Sequence, residues 1–171
     1  MKRLILMRHA KTEPWTEGID DHGRALTPNG HESATAVALG LKARGWIPTR
    51  AIISSARRTR ETWQHLSAVF DACEMHVEEG LYLAGERGIS EFVLEAADTD
   101  TLLIVGHNPG MHDLSMRLVR EAGSANHRAA RRVASKFPTG SAAMFETDEA
   151  GAFVPVHFVL QKFLRPKDIM D

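Results

Sequence analysis

Thr101-Leu102-Leu103-Ile104-Val105-Gly106-His107-Asn108-Pro109 reads as one buried strand delivered to a polar end. An uncharged run of leucine and β-branched residues suits a strand covered on both faces. The run stops at Gly106-His107-Asn108, and Pro109 stands where a helix opens, with Met111, Leu114 and Leu118 at the spacing of one helical face. Strand, polar turn and helix make the repeating unit of a parallel sheet.

The same unit recurs on the N-terminal side. Leu4-Ile5-Leu6-Met7 ends at Arg8-His9, a loop rich in Glu, Asp, Gly and Pro follows, and Thr27-Pro28 caps a helix through Ala34, Val37, Ala38 and Leu41 that Gly45 closes. Ala51-Ile52-Ile53 ends at Ser54-Ser55 and precedes an amphipathic stretch marked by Thr62, Trp63, Leu66, Val69 and Phe70. Glu74 to Val77 adds a strand, and Ile89, Phe92, Val93 and Ala96 a helix. Toward the C-terminus, Arg128, Arg131, Arg132 and Lys136 share one helical face. Ser141 to Glu146 and Val154 to Leu160, separated by Asp148-Glu149-Ala150-Gly151, predict a closing pair of antiparallel strands, with an irregular tail from Arg165. The expected fold is α/β: a single three-layer domain over residues 1–171, its central sheet mostly parallel and covered by helices on both faces.

The composition agrees with a globular domain. At 171 residues, with 43% apolar and 25% charged residues, folding buries roughly 70% of the chain's surface, enough for a core without disulfides or a structural metal. The single cysteine, Cys73, cannot form an internal disulfide, which points to a reducing cytoplasm. Twenty-one Lys and Arg against 22 Asp and Glu give a net charge of −1, which removes the bulk electrostatic argument for nucleic-acid or anionic-membrane binding. The apolar run after Met1-Lys2-Arg3 is too short for an export signal, and nowhere do about 18 apolar residues run together to span a membrane. Oligomeric state is left open.

Three strands end in polar residues of one kind: Arg8-His9, Ser54 to Arg58, and Gly106-His107. In an open α/β sheet, ligands bind beyond the carboxyl ends of the strands, so these ends are expected to converge. Gathered arginines and histidines require an anion, and a phosphoryl group, whose oxygens accept bidentate arginine contacts, fits best.

These blocks resemble a known family. Leu6-Met7-Arg8-His9-Ala10-Lys11-Thr12 resembles the signature of the histidine phosphatase superfamily, whose fold is phosphoglycerate mutase-like. Ser54-Ser55-Ala56-Arg57-Arg58-Thr59-Arg60-Glu61-Thr62 resembles its second block, which selects Arg58 as the phosphate-binding arginine. Gly106-His107-Asn108-Pro109 resembles the third. Asp21-His22-Gly23-Arg24-Ala25-Leu26-Thr27 with Gly30, and Lys136-Phe137-Pro138-Thr139-Gly140, further resemble the small bacterial SixA-type phosphohistidine phosphatases. The resemblance implies a phosphatase without cofactor or metal, in which His9 attacks phosphorus and water frees it. Arg8, Arg58 and His107 stabilise the transferring oxygens, and Asn108 joins them in binding substrate. It also implies as partner a phosphorylated protein or a small phosphate ester. The sequence itself carries no His-Glu-x-x-His or similar ligand cluster.

Many superfamily members protonate the leaving group with a carboxylic acid between the second and third blocks. Here Glu79 and Glu86 lie in that interval without a recognisable motif, and Asp20 and Asp21 are the other candidates. A labile phosphorus-nitrogen bond needs less help, so the gap favours phosphohistidine as substrate. The alternatives are a small-molecule phosphatase for sugar or metabolite phosphates, and a catalytically silent phosphate-binding module. His22, His31, His65, His76, His112, His127 and His157 read as surface or packing residues, and Trp46, Trp63 and Cys73 as core. The basic face at Arg128, Arg131, Arg132 and Lys136 reads as a solvated helix face or as a docking surface for an acidic protein.

Overall fold

The computed structural model describes residues 1–170. Its elements are β1 (Arg3–Arg8), α1 (Pro28–Ala43), β2 (Arg50–Ser54), α2 (Arg57–Ser67), β3 (Glu74–Glu78), α3 (Glu86–Glu95), β4 (Thr101–Gly106), α4 (Gly110–Ala122), α5 (His127–Ser135), β5 (Ala142–Glu146) and β6 (Val159–Leu164). They build one six-stranded sheet in the order β3-β2-β4-β1-β5-β6. The first four strands are parallel, and β5 and β6 are added antiparallel at the β1 side.

Strand pleating sorts the core into two layers. Leu4 and Leu6 of β1, with Leu102 and Ile104 of β4, face α3, α4 and α5 through Ile89, Val93, Met111, Leu114 and Val133. Ile5 and Met7, with Leu103 and Val105, face α1 and α2 through Val37, Leu41, Trp63 and Leu66. Because each buried aliphatic side chain contributes about 1.5–3 kcal/mol, a one-residue slip, which exchanges the two faces, is strongly disfavoured. The register sets Arg8 beside Gly106 and Ile53 beside Val105, so the ends of β1, β2 and β4 lie together.

Local chemistry fixes the loops around those ends. Thr27 caps α1, its Oγ1 accepting from the Gly30 N–H at 2.9 Å. Gly30 is required there, because a Cβ would stand 2.1 Å from the Lys11 carbonyl oxygen. Gly140, at φ +75°, lets its N–H reach the carbonyls of His9 at 2.8 Å and Arg8 at 3.1 Å.

The C-terminal part departs from expectation. The last strand is Val159–Leu164 rather than Val154 to Leu160, and a 3₁₀ turn occupies Pro155–His157. Proline cannot donate to the ladder. The chain instead buries Phe153 and Phe158 and starts pairing afterwards, with Leu160, Phe163 and Leu164 inward and Gln161 and Lys162 outward. Arg165 begins a second 3₁₀ turn, Pro166–Asp168, rather than an irregular tail. Lys136 leaves the helical face expected for it: at φ −166° and ψ 146° it is extended, one residue beyond α5. Among the described residues, no helix is long and apolar enough to cross a membrane.

Candidate active site

The converging strand ends are laced by backbone groups. The His9 N–H donates to the Gly106 carbonyl at 3.1 Å, tying β1 to β4. The Ala10 N–H donates to Thr62 Oγ1 at 3.0 Å, and that hydroxyl donates to the Arg58 carbonyl at 2.7 Å, tying the same loop to α2.

His9 is 5% exposed. Its Nδ1 lies 2.8 Å from the Ala10 carbonyl oxygen, which can only accept, so Nδ1 carries the proton and Nε2 keeps a free lone pair. Burial pushes its pKa down to about 3 against the opposing pull of the Ala10 bond, with His107, Arg58 and Arg8 adding to the depression.

His107, 2% exposed, stands with its ring centroid 5.4 Å from that of His9. Its Nε2 lies 2.7 Å from Ser54 Oγ, which accepts from the Ala56 N–H at 3.3 Å. Among the described residues the Ser54 proton has no acceptor except His107 Nε2, so Nδ1 of His107 carries the ring proton. That nitrogen is buried and has no partner. Burial, then the charge of Arg58, push the His107 pKa down to about 3, against the opposing carboxylate of Asp21.

Both arginines are held at one end and open at another. Arg58, 2% exposed, donates from Nη1 to the Asp21 carbonyl at 2.7 Å and from Nη2 to Asp21 Oδ2 at 3.1 Å. Arg8 donates from Nη1 to the Phe137 carbonyl at 3.1 Å, and the same carbonyl accepts from Asn108 Nδ2 at 3.0 Å. Among the described residues, the Nε atoms of Arg8 and Arg58 and Oδ1 of Asn108 are buried without partners. Burial and the neighbouring Arg58 hold Arg8 below the usual arginine value. A half-buried and a buried guanidinium, each with an orphaned donor, call for an anion.

The structure therefore brings Arg8, His9, Arg58, His107 and Asn108 together. Arg57 and Arg60 are elsewhere: Arg57 is exposed and pairs with Glu61 at 2.7 Å, and Arg60 donates to the Ser55 carbonyl at 3.0 Å. Of the acid candidates, Asp21 alone touches these groups. The Tyr82 hydroxyl, then Arg58 and Arg24, hold its carboxyl below the usual range, so it is an anion bracketing Arg58 rather than a proton source. Asp20 caps the 3₁₀ turn Asp21–Gly23, Glu79 is exposed, and Glu86 opens α3. Among the described residues, no group of three or more His, Cys, Asp and Glu is gathered as a metal-ligand set.

Sequence reasoning missed Tyr82 and His22. The Tyr82 ring lies edge-on to His107 with centroids 5.5 Å apart, and His22 packs on Tyr82 at 4.9 Å while its Nε2 meets Ser55 Oγ at 2.9 Å. The available signals were that Tyr82 is the chain's single tyrosine and that His22 lies in the block from Asp21 to Thr27 that resembles the SixA type.

Comparison with known proteins agrees with this geometry. The model of the histidine phosphatase superfamily (branch 1) matches residues 4–82. An uncharacterized protein of Mycobacterium tuberculosis is 34% identical over 139 residues, covering 81% of this chain and 85% of that protein. A structure from Agrobacterium tumefaciens, assigned as the phosphohistidine phosphatase SixA, superposes with a TM-score of 0.83 at 25% identity, covering 96% of this chain and 99% of that one. A second such structure, from Nakamurella multipartitia, gives 0.81 at 28% identity, with 96% of each chain covered. With a 34% identical relative covered over most of its length and the fold shared over nearly the whole chain, the chain belongs to the histidine phosphatase superfamily and is a phosphohydrolase of the SixA type.

Proposed function

We propose that this phosphohydrolase removes phosphoryl groups from phosphohistidine in proteins, through a phosphohistidine intermediate on His9. The observation that carries the reading is His9 itself: Nδ1 is engaged by the Ala10 carbonyl, Nε2 keeps its lone pair, and Arg8, Arg58 and His107 stand close enough to depress the ring's pKa. The lone pair attacks phosphorus in line, and the bond from phosphorus to the substrate's imidazole nitrogen breaks with its electron pair, the ring leaving as neutral imidazole because its other nitrogen carries a proton. The Nδ1–H bond to Ala10 stabilises the positive charge that develops on the His9 ring. Water then attacks the phosphoryl group, releasing phosphate and neutral His9. Arg8, Arg58 and the Nδ1–H of His107 offset charge on the peripheral oxygens, the main source of catalysis in phosphoryl transfer. Asn108 orders the Phe137 carbonyl that also receives Arg8. This arrangement takes its positive charge from side chains and calls for no metal.

The substrate preference rests on the leaving group. Asp21 is held as an anion, and neither Glu79 nor Glu86 hydrogen-bonds to the four central side chains. A phosphorylated imidazole protonated on its other nitrogen leaves as a neutral ring, without the proton donor an alkoxide needs. The SixA assignments of the two similar structures agree with this choice. The test is kcat/KM on a phosphohistidine peptide, phosphotyrosine, phosphoserine and a panel of sugar phosphates. Phosphohistidine is expected to lead, with Glu79→Gln and Glu86→Gln staying within about tenfold of wild type, because general acid catalysis is worth about 10²–10⁴-fold only where a proton is needed. A sugar phosphate turned over faster overturns the reading in favour of a metabolite phosphatase, and failure on every substrate would leave a silent phosphate-binding module.

A further inference from the structure

The basic residues singled out in the sequence do not form one helical face; the fold rearranges them into a longer feature. A groove of about 450 Å³ between α5, β6 and the end of α1 is lined by Arg44, Arg128, Arg132, Lys162 and Lys167. A second hollow of about 300 Å³ is lined by Lys11, Lys136 and Arg165, and shares Lys167 with the first. Among the described residues, eight cations and one carboxylate, Asp168, thus line a joined surface in a chain of net charge −1. Asp168 pairs with Arg132 and Arg165, while the other six cations enter no ion pair among the described residues.

This surface ends at the catalytic loop. Lys11 follows His9 by two residues, and Lys136 precedes Phe137, whose carbonyl receives Arg8. Gly140 joins the two regions: its N–H holds the His9 carbonyl, and a Cβ there would meet Pro166 Cγ at 3.0 Å and Ala10 Cα at 3.8 Å.

We infer that the track from Lys11 along Lys167 to Arg128 and Lys162 docks the acidic surface of the phosphoprotein whose phosphohistidine enters the site. The inference rests on the phosphohistidine reading above and names the partner's chemistry. Complementary charge beside an active site raises the encounter rate and fixes orientation. The lining offers no exposed aromatic ring on which bases could stack, since Phe163 is buried, so a carboxylate-rich protein fits better than a single-stranded nucleic acid.

The test uses three peptides with a central phosphohistidine, flanked on each side by eight glutamates, eight serines or eight lysines. Eight extended residues reach about 26 Å, against the roughly 13 Å length of nine-residue α5. The glutamate peptide is expected to show a kcat/KM at least tenfold above the serine peptide at low salt, and the lysine peptide to fall below both. Arg128→Glu/Lys162→Glu should abolish the glutamate advantage while leaving hydrolysis of an aryl phosphate unchanged, and 0.5 M salt should do the same. Equal rates on the three peptides, or a double variant that keeps the preference, would overturn the docking surface alone. Turnover of the aryl phosphate without turnover of any phosphohistidine peptide would overturn the substrate reading and the surface with it. Inhibition by DNA but not by polyglutamate would assign the track to another class of polyanion.

Discussion

The protein contains two close pairs of histidines that solve opposite problems. His31 of α1 and His65 of α2 bond directly, Nδ1 to Nε2 at 2.8 Å, and His65 Nδ1 is occupied by Thr35 Oγ1 at 3.0 Å. His9 and His107 stand at a similar ring separation, 5.4 Å against 5.0 Å, yet each bonds to a different group. Ala10 takes one nitrogen of His9 and Ser54 takes one of His107, which among the described residues leaves His9 Nε2 and the buried His107 Nδ1 without partners. On the proposed function, reactivity follows from what the second nitrogen lacks, not from the presence of two imidazoles. The first pair satisfies itself; the second waits for a ligand.

Substitution of one member of each pair gives the widest separation. His9→Ala should lower kcat by about 10⁴-fold or more, the scale seen when a nucleophile is removed, whereas His31→Ala should stay within about twofold. Wild type quenched at alkaline pH should carry phosphate on His9, located by mass spectrometry. Equal activity of the two variants would erase the distinction.

The guanidiniums around the reactive pair sharpen the comparison at a smaller scale. Arg58→Ala and Arg8→Ala should each lower kcat/KM by about 10²–10³-fold, the scale of one lost charge-stabilising donor. Arg57→Ala loses only an exposed ion pair with Glu61 and should cost less than threefold. A larger loss for Arg57 than for Arg58 would move the phosphate contact to the neighbouring residue.

Acid stability separates the pairs last. His9 and His107, with pKa values near 3 in the folded protein, take up protons near 6.5 when unfolded. The unfolded chain therefore binds more protons between these values, and stability falls as pH drops through that window. His65 is also depressed, by burial and by His31, but both its ring nitrogens have hydrogen-bond partners. The urea midpoint should fall between pH 7 and 5, above the range where carboxylates titrate. His9→Asn/His107→Asn should flatten that slope more than His31→Asn/His65→Asn. The reverse order would place the costlier buried imidazoles on the α1–α2 surface.

Sequence patterning by itself determined the strand-helix alternation, because alternate residues of Leu4 to Met7 and of Leu102 to Val105 must bury on opposite faces. It also marked Arg8-His9, the block Ser54 to Arg58 and Gly106-His107 at strand ends, where a parallel sheet presents its ligand site, while the choice of Arg58 within its block came from the family resemblance. The last strand was misread because apolarity from Val154 onward does not reveal that Phe153 and Phe158 serve the core before pairing begins. Only the tertiary structure decided that Asp21 is an anion on Arg58, that Tyr82 closes on His107, and that Ser54 sets the free nitrogen of His107. It also decided that Lys136 and Arg128 belong to one charged track with residues from α1 and β6. These are contacts between residues tens of positions apart. Local propensity and periodicity carry no information about them, because their energies depend on distance and burial that exist only once the sheet has assembled.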